Sequence, residues 1–131
     1  MVVSTPLIEQ QEYKIMEHEK INYVELPAID LTATKQFFSH VFQWVFTDYG
    51  PEYTAFSNAG IDGGFYQADL KASAEQGSAL VVFYSESLED TQLKVKAAGG
   101  SISTAIFAFP GGRRFHFIEP SGNEFAVWSD H

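Results

Sequence analysis

The feature that most constrains this chain is an internal repeat. INYVELPA, residues 21–28, reads as a short β-type run ended by a proline, and DLTATKQFFSHVFQW after it carries a helix signal. Asp30 stands where an N-cap belongs, and Phe37, Phe38, Val41 and Phe42 form one broad apolar face suited to lying on a sheet. Three short strand candidates follow, WVFTDY, YTAFSN and DGGFYQAD, so the first module reads βαβββ. The same order then recurs. ALVVFYS precedes a second helix candidate, SLEDTQLKVKAAGG, in which Ser87 and Asp90 resemble a capping box and Gly99 suits the left-handed C-terminal position. SISTAIFA, RRFHFIE and NEFAVWS complete the second βαβββ. Asp30 and Ser87 are 57 residues apart, whereas the turn glycines Gly60 and Gly122 are 62 apart, a difference of the size loop insertions produce. Each half alone is a sheet with one uncovered face, so pairing the halves completes a cavity.

At 131 residues the chain is long enough for one domain and too short for two independent ones. Residues 1–19 are polar and weakly periodic, and read as an N-terminal arm that covers a sheet edge or a partner subunit. Residues 20–131 form the single domain, with module one over 20–75 and module two over 76–131. Apolar residues at 45% and aromatic ones at 15% supply both a core and an aromatic cavity. The net charge of -9 has the wrong sign for a nucleic-acid backbone or an anionic membrane surface, and it suits a cationic ligand. With no cysteine there is no disulfide framework, thiolate nucleophile or cysteine-type zinc site. The first twenty residues lack the basic-then-apolar pattern of a leader, and no apolar run is long enough to cross a bilayer. The expectation is a soluble, cytoplasmic protein.

Three stretches, INYVELPAIDLTATKQFFSHVFQW, LEDTQLKVKAAGGSI and FHFIEPSGNEFAVW, together resemble the vicinal oxygen chelate superfamily of glyoxalases, bleomycin resistance proteins and dioxygenases. More narrowly, the chain is similar to the glyoxalase-like branch related to lactoylglutathione lyase. The resemblance implies an α+β fold of two βαβββ modules forming an incomplete barrel around a cleft, and a homodimer. It also implies metal ligands on the first and last strands of each module. The corresponding positions are Tyr23, seven residues before Asp30; Leu80, its repeat counterpart; Ala126, four residues beyond Gly122; and Gly64, four beyond Gly60. Gly, Leu and Ala have no ligating side chain, and a phenol is a weak ligand for a divalent ion at neutral pH. No metal and no other cofactor is expected.

Strand alternation ranks the neighbours of these positions. If Tyr23 faces the cleft, so does Glu25; if Ala126 does, so do Glu124 and Trp128, with Phe125 and Val127 beneath a helix. Phe115 and Phe117 suit the helix side, leaving Arg114, His116 and Ile118 for the cleft. Glu25 among aromatic residues reads either as a proton carrier with a raised pKa or as a solvated or Arg114-paired strand residue. His116 reads either as a general base or as a hydrogen-bonded structural histidine. Arg114 reads as a partner for Glu25 or for an anionic group on a ligand. Tyr23, Tyr66, Phe65, Tyr84 and Trp128 offer flat surfaces to a planar ligand, while Trp44 reads as core. GIDGG and PGGRR read as turns or as a lip of the cleft.

Three functions stay open: a metal-free small-molecule binder, a lyase or isomerase working through Glu25 or His116, and a divalent-metal enzyme whose ligands lie a residue or two away, at Glu25, His116 or Glu124.

Overall fold

The computed structural model describes residues 16–131, so most of the expected arm lies outside the described residues. Module one contains β1 (Tyr23–Ala28), α1 (Leu31–Phe42), β2 (Val45–Asp48), β3 (Tyr53–Ser57) and β4 (Asp62–Gln67). Module two contains β5 (Val81–Tyr84), α2 (Leu88–Ala97), β6 (Ser101–Phe109), β7 (Gly112–Ile118) and β8 (Glu124–Ser129). The two sheets have equivalent strand orders, β1-β4-β3-β2 and β5-β8-β7-β6, with a parallel pair, β1 with β4 and β5 with β8, in each. The fold is therefore α+β, two βαβββ modules in two open sheets that do not close into a barrel.

The caps follow from the local chemistry. Asp30 accepts the Ala33 N–H at 3.0 Å and opens α1. At the second helix the expected capping box is not made: the Ser87 hydroxyl donates to the Asp90 carboxylate at 2.8 Å and reaches no backbone N–H. Gly99 has a φ of +97°, the left-handed value the end of α2 requires. β1 continues through Pro27, because as an edge strand it needs no N–H donor on its open side. Gly63 and Gly64 lie inside β4 rather than in a lip, and Pro110 and Gly111 form the turn between β6 and β7.

Both sheets turn their apolar faces to one core. Phe38 on α1 lies 5.6 Å from Phe65 of the first sheet and 5.1 Å from Phe125 of the second, and Phe42 stacks on Phe83 at 4.0 Å. Phe115, Phe117, Phe125 and Val127 are fully buried, the helix side that alternation assigns to them. The helix of module one thus packs on the sheets of both modules, and the opposite faces of the two sheets turn away from that shared core.

The turn EPSGN between β7 and β8 clasps the modules together. Glu119 is 2% exposed. Its carboxylate accepts from the Thr34 hydroxyl of α1, from the backbone N–H groups of Ser121 and Asn123, and from the Asn123 amide. Asn123 in turn donates to the Pro27 carbonyl at 2.7 Å and accepts the Ala72 N–H at 2.8 Å. Every member is satisfied, as a buried polar network must be.

Candidate functional site

The open face of the first sheet carries Tyr23 and Glu25 from β1, Tyr53 from β3 and Gly64 and Tyr66 from β4. Glu25 pairs with Gly64 in the ladder, and Tyr53 with Tyr66. The Tyr53 hydroxyl donates to Glu25 Oε2 at 2.8 Å and lies 2.6 Å from the Tyr23 hydroxyl. Since Tyr53 spends its proton on Glu25, Tyr23 donates to Tyr53, which gives a chain Tyr23 to Tyr53 to Glu25. Burial, and then the bonds to Tyr23 and Glu25, push the Tyr53 phenol well above its ordinary range. The glycine is what admits these groups: a Cβ at Gly64 would stand 2.1 Å from the Tyr53 hydroxyl and 2.9 Å from that of Tyr23.

The open face of the second sheet carries Arg114, His116 and Ile118 from β7 against Trp128, Ala126 and Glu124 from β8, each directly opposite its partner. Arg114 donates through Nε and Nη2 to His116 Nε2, at 3.2 and 3.0 Å. A guanidinium only donates, so His116 Nε2 accepts, and the ring proton sits on Nδ1, 3.0 Å from Glu124 Oε2. Glu124 also accepts the Ala74 N–H at 2.9 Å; that bond first, then His116 and the charge of Arg114, hold its carboxyl below the usual range. The Arg114 guanidinium lies over Phe107 and Phe109, 6.0 and 5.9 Å from the ring centres, a cation–π arrangement. Trp128 stands 6.3 Å from Phe109 and 5.2 Å, edge-on, from Tyr84.

The structure therefore brings Tyr23, Glu25, Gly64 and Tyr66 together, and separately Arg114, His116, Glu124, Ala126 and Trp128. No hydrogen bond, ion pair or ring contact joins the two groups among the described residues. Two expectations are corrected. Arg114 is engaged by His116 and two phenylalanines rather than by Glu25, because Glu25 lies on the other sheet. Phe65 is no ligand surface: it points inward and is fully buried. Leu80 falls one residue ahead of β5, and Val82 is the residue opposite Ala126. Trp44 is core, 6% exposed.

Tyr53, Phe107 and Phe109 were not singled out in the sequence. Tyr53 was legible in principle, since it alternates with the buried Thr54 and Phe56. The register of β6 shifts between Ile102 and Phe107, which hides the common face of Thr104 and Phe107 from a simple period of two.

Of the four positions that the resemblance marks as metal ligands, Tyr23, Gly64, Leu80 and Ala126, three carry no donor atom in the side chain. The space over Gly64 is occupied by two phenols. Among the described residues no three His, Cys, Asp or Glu side chains gather as a metal-holding group. These residues do not fit a metal centre.

Two open four-stranded sheets of equivalent topology, each with a parallel first and last strand, define the paired βαβββ class. A family profile described as the glyoxalase/bleomycin resistance protein/dioxygenase superfamily matches residues 20–127, and the chain belongs to that superfamily. No curated protein matches it. Among solved structures, the chain is similar to a glyoxalase-related enzyme from Fulvimarina pelagi, at 16% identity and a TM-score of 0.71, covering 86% of this chain and 88% of that one. It is similar to the genomically encoded fosfomycin resistance protein FosX from Listeria monocytogenes, at 17% identity and a TM-score of 0.71, covering 86% and 94%. It is also similar to lactoylglutathione lyase from Agrobacterium tumefaciens, at 18% identity and a TM-score of 0.64, covering 87% and 96%. At these identities the likeness is one of fold. Among the described residues no helix is long and apolar enough to cross a membrane.

Proposed function

We propose that the protein binds a small planar molecule without a metal, in an aromatic cleft completed by a second copy of the chain. The observation that carries this reading is the content of the superfamily's metal positions: glycine, leucine and alanine, with the Tyr23 and Tyr53 phenols filling the space over Gly64. A second copy is needed because the two open faces diverge from a common core, so neither encloses a ligand by itself. Among the described residues each face keeps large apolar groups exposed, Tyr23 and Tyr66 on one, Val82, Tyr84 and Phe107 on the other, as an unpartnered surface would.

The ligand's chemistry follows from the charges left open. Glu25 is exposed and has no cationic partner among the described residues; it suits a cationic or hydrogen-bond-donating group. Among the described residues Arg114 hydrogen-bonds only the His116 ring and retains N–H donors for an acceptor on the ligand. A thermal-shift screen of planar cationic compounds tests the reading, because a ligand that binds only the folded state raises Tm by mass action. A selective rise that disappears in Glu25→Gln and Trp128→Ala is expected. A rise unchanged in both variants places the ligand elsewhere and contradicts this site.

One observation favours a second reading, a lyase or isomerase acting through Glu25. The chain Tyr23 to Tyr53 to Glu25 is a hydrogen-bonded path along which a proton can move. His116 is a poorer base, since its lone pair is already taken by Arg114. Turnover lost in Glu25→Gln with ligand binding retained would support this reading over the first.

A further inference from the structure

The gap between β1 and β5 holds a cavity of about 370 Å³. Both strands are sheet edges, and no ladder closes the space between them. It is lined by Val24 and Leu26 from the core side of β1, by all four residues of β5, by the turn at residues 59–61, and by Trp44 and Phe56. This space lies on the other side of β1 from Glu25 and Tyr53; at its mouth it shares Val82 and Tyr84 with the open face of the second sheet, while its remaining lining belongs to neither open face.

We propose that this cavity is a second binding site, for an uncharged, planar, apolar molecule of one or two fused rings. Protein interiors leave few voids larger than a water molecule, and an apolar cavity of about 150 Å³ is already enough to take up benzene. The volume here falls within the range of small-molecule pockets. Among the described residues no lining residue carries a charged side chain, and the one hydroxyl, that of Tyr84, is committed to Asp130 at 2.8 Å. An ion would therefore enter without a counter-charge, which excludes charged ligands. The preference for a ring follows from the aromatic lining of Trp44, Phe56 and Phe83, which meets a ligand at ring edges, since the faces of Trp44 are taken by Phe38 at 4.4 Å and Phe56 at 4.2 Å.

The test is a fluorescence titration of the full chain with N-phenyl-1-naphthylamine, a neutral probe, and in parallel with 1-anilinonaphthalene-8-sulfonate, which has the same rings and a negative charge. Saturable binding of one neutral probe per chain is expected, with the sulfonate weaker by at least about tenfold. Filling the cavity in Val81→Phe should weaken the neutral probe by a similar factor; Ala59→Leu, at the turn, serves the same purpose if Val81→Phe fails to fold. Glu25→Gln and Arg114→Ala should leave the neutral probe's affinity unchanged. Absence of saturable binding, equal affinity for the two probes, or undiminished binding in the filled variants would overturn the proposal.

Discussion

Gly64 shows how one residue type sets the chemistry of a strand. A methyl group there would collide with the far end of Tyr53, a side chain that can swing aside. Gly64→Ala should therefore cost little stability, on the order of 1 kcal/mol, while separating Tyr53 from Glu25. The readout is the alkaline absorbance titration of the tyrosines: the phenol that titrates above the ordinary range in the wild type should fall back toward it in Gly64→Ala, and be missing in Tyr53→Phe. The sequence marks Gly64 as unable to ligate a metal, which is correct but incomplete. What it does not display is that the missing side chain makes room for groups from β1 and β3, since that depends on register between strands distant in sequence. Glu25 and Arg114 illustrate the same limit: alternation assigns each to an open face, but not to different sheets.

Elements were the most legible scale, because the repeat supplies every helix and strand twice. Departures occur where tertiary context overrides a local rule, as at Pro27 within an edge strand. The EPSGN turn reads in the sequence as a connection, and the structure makes it a clasp, with Glu119 buried under four donors. Glu119→Ala should lower stability by on the order of 3 kcal/mol in denaturant melts, because it leaves buried donors without an acceptor. Its pH dependence has an unusual sign. Burial outweighs the bonds and raises its pKa, so its contribution is complete below the unfolded value near 4.5 and declines as pH rises through the folded one. Glu124 runs the other way: its pKa is lowered, so its contribution is complete above the unfolded value and declines as pH falls through the folded one. Thermal melts of Glu124→Gln should thus fall less steeply than wild type below about pH 4.5.

At the scale of the whole molecule, one core shared by both modules leaves two faces with exposed aromatic residues among the described residues. Their burial between copies should make the protein a dimer in sedimentation equilibrium, and a charge placed on one face, in Tyr66→Asp, should shift the population toward monomer without loss of helix or sheet signal. The superfamily membership was readable from three motifs in order, whereas the separation of the two open faces within one chain was not. The central proposal, that this chain keeps the superfamily's fold and binds its ligand without a metal, is tested most directly by measuring bound metal. The chain is dialysed against Mn(II), Zn(II) or Ni(II) and then buffer, and its metal content is determined by mass spectrometry alongside Tm. The result expected is well under one ion per chain and an unchanged Tm. One retained ion per chain that raises Tm, and is lost in Glu25→Gln or Glu124→Gln, would contradict it.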